Sequence, residues 1–135
     1  MGEAVRTILT LEEIRQRFGE STPRRQFLFS CLQAVVQCLS ETGRLHRLYV
    51  FGSFTTTKPI PNDLDCLAVM TTGFTTATLT SPLLEVFQHD LCRLYYHADL
   101  FWVTESVGEA HILSLLDVFS RDRSGAPQPI VEVEL

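Results

Sequence analysis

The chain has 135 residues, of which 45% are hydrophobic and 20% are charged, and this composition is typical of a globular protein. Its formal net charge of −5 argues against the clustered basic surface that nucleic-acid-binding proteins usually carry. No apolar run approaches the roughly 18 residues of a membrane span, and the first residues do not resemble a secretory signal. The sequence therefore predicts a cytoplasmic protein with one domain over residues 1–135.

The four cysteines do not have the paired spacing of a zinc site. Two of them lie seven residues apart in a helical pattern, and a third lies in an apolar run. We expect all four to be small, buried thiols in a reducing compartment. They are Cys31, Cys38, Cys66 and Cys92.

The first half of the chain predicts two helices followed by two strands. Thr10 is the first residue of a capping box and begins a short helix that ends at Gly19. Pro23 begins a second, amphipathic helix that Gly43 closes. The two predicted strands cover 45–51 and 64–70, and the polar loop 53–62 between them either is irregular throughout or opens with one helical turn.

The second half predicts two more helices and two more strands. In chain order these are an exposed loop over 71–80, a helix over 82–94, a strand over 98–103, a helix over 108–119, a turn-rich connection over 121–129 and an edge strand over 130–135. Helices that alternate with strands in this way indicate an α/β (α+β) fold. We expect a mixed sheet of three to five strands with helices packed mainly on one face.

Two carboxylates stand at the start of the second predicted strand. Side chains two residues apart in a strand point to the same face, so Asp63 and Asp65 lie with Cα atoms about 6–7 Å apart. At that separation and an effective dielectric constant near 20, their repulsion is about 3 kcal/mol. A solvated strand end tolerates this repulsion, but a divalent cation turns it into attraction. Mg²⁺ prefers such oxygen ligands.

Asp99 is the natural third ligand. It precedes a strongly apolar strand, where an unpaired carboxylate is costly if buried. If the strands that carry Asp65 and Asp99 are neighbours, the three acids converge and can hold two metal ions, although each acid could also be an ordinary solvated side chain.

A phosphate site is predicted at the end of the first strand. Gly52 lets backbone N–H groups approach an anion without a Cβ in the way, and Ser53 adds a hydroxyl donor. Lys58 either reaches a phosphate as a point charge or is a solvated loop residue. Arg121 and Arg123 in the later turn either contact a substrate or form exposed ion pairs.

These motifs resemble the polymerase-β-like nucleotidyltransferase superfamily, in which Gly-Ser is followed by Asp-X-Asp and then by a third carboxylate. More narrowly, they resemble the minimal, antitoxin-like type, short bacterial nucleotidyltransferase-like proteins of unassigned substrate. The segments that carry this resemblance are Phe51-Gly52-Ser53-Phe54, Lys58-Pro59 and Pro61-Asn62-Asp63-Leu64-Asp65.

The resemblance implies the minimal nucleotidyltransferase fold and Mg²⁺-dependent transfer of a nucleoside monophosphate, AMP from ATP, to an acceptor hydroxyl. It implies that Asp63, Asp65 and Asp99 are both catalytic and metal-binding, and that Ser53 binds the terminal phosphates. Minimal members often act as antitoxins, so a small helical toxin protein is the expected acceptor. The alternative is a non-catalytic module of the same fold that regulates a partner by covering its surface.

Overall fold

The computed structural model describes residues 6–135, in which five strands form one mixed sheet. They are β1 (Arg6–Leu9), β2 (Leu45–Phe51), β3 (Leu64–Met70), β4 (Ala98–Thr104) and β5 (Ile130–Val133). Their order across the sheet is β1-β5-β2-β3-β4. The pairs β1–β5 and β3–β4 are parallel, whereas β2 is antiparallel to both of its neighbours. The first five residues, on which the expected lack of a secretory signal rests, lie outside the described part.

Five helices accompany the sheet: α1 (Leu11–Phe18), α2 (Pro23–Glu41), α3 (Leu83–Val86), α4 (His89–Tyr96) and α5 (Glu109–Phe119). The capping box of α1 forms as predicted, because the side chain of Thr10 accepts from the N–H of Glu13 and the Glu13 carboxylate accepts from the N–H of Thr10. Thr22 caps α2 and Pro23 occupies its first turn. No helix within residues 6–135 is long and apolar enough to cross a bilayer.

Helices α1 to α4 pack against one face of the sheet and α5 packs against the other. The larger core joins alternate residues of the strands, such as Leu64 and Cys66, to Leu28 and Leu32 of α2. The residues between them in the strands, such as Leu67, pack with α5 in a smaller core. This alternation confirms the mixed α+β class and gives the sheet two covered faces. The four cysteines are free thiols; three are buried as predicted, whereas Cys38 is only partly buried.

Two predictions about individual elements are wrong. The strand predicted at the C-terminal end is not an edge strand, because β1, which the sequence pattern did not reveal, pairs along its outer side. The helix predicted over 82–94 is broken at Phe87 and Gln88, where Gln88 has an extended backbone. No glycine or proline marks this break. Phe87 packs there against Phe74 and Trp102, so tertiary aromatic contacts accompany it.

A buried arginine organises the loop between β2 and β3. Arg25 of α2 is only 3% exposed, and its guanidinium group donates to the carbonyl oxygens of Phe54, Thr56 and Lys58 at 2.6–2.7 Å. It also donates to the carbonyl of Phe18 at 3.1 Å. A planar fork with five N–H donors can reach several carbonyls at once, which an ammonium group cannot do. Arg25 therefore fixes the conformation of the loop from within the core.

We expect Arg25→Lys to lower the free energy of unfolding by about 3 kcal/mol, because buried carbonyls would lose charge-assisted hydrogen bonds. Amide hydrogen exchange over residues 52–58 should also accelerate. Urea denaturation and exchange mass spectrometry measure the two effects. Arg17→Lys on the exposed side of α1 is the control, and an equal loss of stability in the two variants would contradict this role for Arg25.

Candidate functional site

The three predicted acids line one cleft of about 580 Å³ at the end of the sheet. Asp65 on β3 and Asp99 on β4 are direct partners in the parallel register. Asp63 immediately precedes β3 and lies two residues before Asp65. Because alternate residues share a face, Asp65 and Asp99 lie on the face that α5 covers. The structure thus places in one cleft three acids that lie at positions 63, 65 and 99 of the sequence.

Gly52 follows the last residue of β2, and it touches the same cluster. Its φ is +79°, a conformation that residues with side chains rarely adopt. A Cβ at this position would lie 2.1 Å from Oδ2 of Asp65. The missing side chain therefore provides the space that the Asp65 carboxylate occupies, and Gly52 is required here for close approach as well as for its backbone conformation.

Ser53, at the start of the β2–β3 loop, is hydrogen-bonded to the end of that loop. Residues Gly52–Thr55 form a single 3-10 turn, which agrees with the alternative of one helical turn at the start of this loop. The Ser53 hydroxyl accepts a hydrogen bond of 3.3 Å from the N–H of Asn62. On the other side of the loop, Arg24 donates to the carbonyls of Pro61 and Asn62. These contacts hold the Gly-Ser segment and the start of the Asp-X-Asp segment side by side in the cleft wall.

Lys58 is not brought to the cleft. It is exposed in the β2–β3 loop and does not belong to the cleft lining, whereas Gly52 and Ser53 do. Its backbone, rather than its ammonium group, has the contacts: the carbonyl accepts from Arg25 and the N–H donates to the Thr56 hydroxyl at 3.2 Å. A phosphate bound among the acids would therefore not meet Lys58 in this arrangement.

Two basic side chains from α4 face the acids. Nε of Arg93 lies 3.3 Å from Oδ1 of Asp99, and its Nη2 lies 3.6 Å from Oδ2 of Asp63. Nε2 of His89 lies 3.1 Å from the same Asp99 oxygen. The two contacts to Asp99 are not hydrogen bonds, because its Oδ1 is buried without a hydrogen-bonding partner in residues 6–135. The contact to Asp63, at 3.6 Å, is too long for one. Arg93 thus compensates the acids by proximity alone.

The three acids have the type of ligand atom, carboxylate oxygen, that a hard divalent cation such as Mg²⁺ prefers. All three candidate ligands are carboxylates, and the buried Oδ1 of Asp99 lacks the hydrogen bond that such an atom normally has. Across residues 6–135, however, no set of three or more His, Cys, Asp or Glu side chains is gathered closely enough to hold a metal ion. The assignment of Mg²⁺ to Asp63, Asp65 and Asp99 therefore stays a prediction.

Burial raises the pKa of Asp65 from 3.8 to about 7, and the negative charges of Asp99 and Asp63 add to the rise. The positive charge of Arg93 opposes it. The Asp65 carboxyl group therefore changes its charge near neutral pH, whereas an ordinary aspartate would be ionised throughout that range.

Several cleft residues were not predicted from the sequence. Arg93 occupies an ordinary helical position, and Phe101 is one apolar residue of an apolar strand. For Arg121 and Arg123, by contrast, the sequence leaves open a substrate contact or an exposed ion pair, and both residues line the cleft. Arg121 also reaches Asp117 at 3.3 Å. The sequence shows that these two arginines lie in the turn after α5. It does not show that this turn lies beside the three acids.

Comparison with known proteins gives a family but no function. Residues 4–134 match the group described as "Family of unknown function (DUF6932)". The chain is a DUF6932 protein. Neither a curated protein nor a solved structure matches this DUF6932 chain. Its function must therefore be argued from the site itself.

We expect Gly52→Ala to destabilise the DUF6932 protein more than an ordinary glycine substitution at positive φ. Gly43 is the matched control, because its φ is +68° and a Cβ there would meet nothing within 4 Å. Gly43→Ala should cost about 1–2 kcal/mol from backbone conformation alone. Gly52→Ala should cost at least about 1 kcal/mol more, from the clash with Asp65.

Urea denaturation of the single and double variants measures this coupling. In an Asp65→Ala background the extra cost at Gly52 should shrink, because the clashing carboxylate is absent. Equal costs for Gly43→Ala and Gly52→Ala in the wild-type background would contradict the close contact.

The raised pKa of Asp65 predicts that stability falls as pH rises. Between about 4 and about 7 the unfolded chain has released the Asp65 proton while the folded chain retains it. The folded state then binds more protons, so the free energy of unfolding decreases with pH in this window and levels off above it. Asp65→Asn should remove this decrease and be more stable than wild type at pH 8.

Denaturant titrations at intervals from pH 4 to 8.5 measure the effect. Glu41→Gln, an exposed neutralisation at the end of α2, should leave the wild-type pH profile unchanged. Parallel profiles for wild type and Asp65→Asn would show that Asp65 does not titrate in this window.

Proposed function

We propose that this DUF6932 protein is a cytoplasmic, Mg²⁺-dependent nucleotidyltransferase of the minimal nucleotidyltransferase fold, which transfers AMP from ATP to an acceptor hydroxyl. The proposed acceptor is a small helical toxin protein. The observation that carries the proposal is the register between β3 and β4, which puts Asp65 and Asp99 side by side next to the Gly52-Ser53 turn. A strand surface without a ligand gains nothing from two adjacent, partly buried carboxylates.

Asp63, Asp65 and Asp99 would hold the metal ion. Bound there, Mg²⁺ would offset the charge of the acids and of the triphosphate and make the α-phosphorus more electrophilic. Asp99 Oδ1, buried and without a hydrogen-bonding partner in the described residues, is suited to accept the proton of the acceptor hydroxyl. The acceptor oxygen forms a bond to the α-phosphorus, the bond to the bridging oxygen breaks, and pyrophosphate leaves.

The Gly-Ser turn would bind the phosphates. Gly52 has no side chain to keep a phosphate away, and Ser53 can donate its hydroxyl hydrogen to a phosphate oxygen while its own oxygen accepts from Asn62. Arg93 and Arg123 add positive charge to the same cleft. Together they would offset part of the repulsion between a triphosphate and three carboxylates.

One observation favours a second candidate, a non-catalytic module that regulates a partner by occlusion. The guanidinium group of Arg93 already lies near Asp63 and Asp99, so part of the charge of the acids is compensated without a metal ion. A module of this kind would keep its effect on the partner when the acids are neutralised, whereas the enzyme would lose it.

We expect Asp65→Asn and Asp99→Asn each to reduce Mg²⁺-dependent transfer by a hundredfold or more, on the order of the several kcal/mol that metal ligation supplies in a transition state. The measurement is the incorporation of α-labelled nucleotide into candidate protein acceptors, together with release of labelled pyrophosphate from a γ-labelled one. Each NTP is tested with and without Mg²⁺.

Asp90→Asn is the matched control, since it removes a neighbouring but exposed negative charge at the start of α4. It should keep transfer close to the wild-type level. A wild-type protein that binds neither Mg²⁺ nor any NTP at millimolar concentration would refute the proposed activity. Full regulation of a partner by Asp65→Asn would favour the non-catalytic module.

A further inference from the structure

The cleft that contains the acids also has an aromatic wall. Phe119, the last residue of α5, stacks on Phe51 with ring centroids 5.1 Å apart and an interplanar angle of 9°. It also stacks on Phe101 of β4, at 4.7 Å and 26°. The three rings form a column, which we call the phenylalanine column. It runs beside the acids along the face of the sheet that α5 covers.

The column is buried at one end and open at the other. Phe51 is 4% exposed, whereas Phe101 is 39% exposed and lines the cleft. Val118 extends this apolar surface and is 65% exposed. Small-molecule pockets use exposed apolar and aromatic side chains in a concave site to bind flat, apolar groups, and a few polar groups to orient them. A planar ring placed on Phe101 would continue the stack and cover area that water now contacts.

The charged side chains near the phenylalanine column restrict the class of ligand that could supply such a ring. Phe101 follows Asp99 by two residues on the same face of β4, so their Cα atoms are about 6–7 Å apart. Arg121 and Arg123 line the same cleft, and residues 6–135 provide no ion-pair partner for Arg123. A ligand that combines a flat ring with several negative charges complements this combination. A nucleotide has both features, and a volume of about 580 Å³ is within the usual range for such ligands.

We propose that Phe101, supported by Phe119 and Val118, is the platform for the nucleobase of the bound nucleotide, with purines preferred over pyrimidines. This inference rests on the proposed function for its ligand. It adds a specificity-determining residue, because neither the acids nor the Gly-Ser turn distinguishes one base from another. The purine preference follows from the larger face that a two-ring base presents to the column.

Calorimetric titration of the full chain with ATP, CTP and inorganic tripolyphosphate, each with Mg²⁺, tests the platform. Phe101→Ala should weaken ATP binding by about tenfold, the lower part of the range for loss of one base–aromatic stack. Tripolyphosphate affinity should stay unchanged, because it has no ring. Phe101→Trp should keep ATP affinity within a few fold of wild type, and wild type should bind ATP more tightly than CTP.

Leu113→Ala is the matched control, since Leu113 is 42% exposed on α5 but does not line the cleft. It should leave all affinities unchanged. Equal losses of ATP and tripolyphosphate affinity in Phe101→Ala would indicate a damaged site and would overturn the platform. So would an unchanged ATP affinity with reduced transfer, which would assign the column to a ring of the acceptor instead.

The same titrations separate this inference from the proposed function. Wild-type binding of ATP and tripolyphosphate with equal affinity, abolished in both cases by Asp65→Asn, would keep the metal–phosphate site and refute the platform. Absence of binding by both ligands in wild type would refute the two together.

Discussion

Asp65 and Asp99 face each other across a pair of parallel strands, and much of the surrounding structure serves to make that position tolerable. Adjacent strands lie about 4.8 Å apart, where two like charges at an effective dielectric constant near 20 repel by roughly 3 kcal/mol. Two features of the structure reduce this repulsion. The guanidinium group of Arg93 approaches from α4, and burial together with the neighbouring acids raises the pKa of Asp65 to about 7, so that its charge is partly suppressed near neutral pH. A cluster that needs such compensation is typical of a ligand-binding site rather than of a stabilising one.

Two kinds of contact order the loop between β2 and β3: the buried side chain of Phe54 packs in the larger core, and arginines of α2 bind backbone carbonyls of the loop. Arg25 and Arg24 of α2 donate to carbonyls along the loop, and Ser53 accepts from Asn62 at its base. Carbonyl groups bound by a guanidinium keep a fixed direction, which a solvated loop would not provide. The loop that joins the Gly52 turn to Asp63 is thus held from α2, on the opposite side of the sheet from the acids.

The cleft separates three kinds of surface by the elements that supply them. Strand ends supply the carboxylates, the phenylalanine column supplies the apolar wall, and the connection after α5 supplies Arg121 and Arg123. This separation suits a ligand whose parts differ in the same way, with an anionic and a flat apolar portion. The proposed nucleotidyltransferase activity depends on the first surface, and the proposed base specificity depends on the second.

Local patterns in the sequence determined the caps of α1 and α2 and the bounds of β2 and β3, because each depends on residues only a few positions apart. Tertiary structure decided the rest. Strand order depends on long-range pairing, so β5 is internal only because β1 pairs beside it. The convergence of Asp99 with Asp65, and the approach of Arg93 and Phe101, likewise depend on how separate elements pack, and periodicity within one segment carries no information about its neighbours in space.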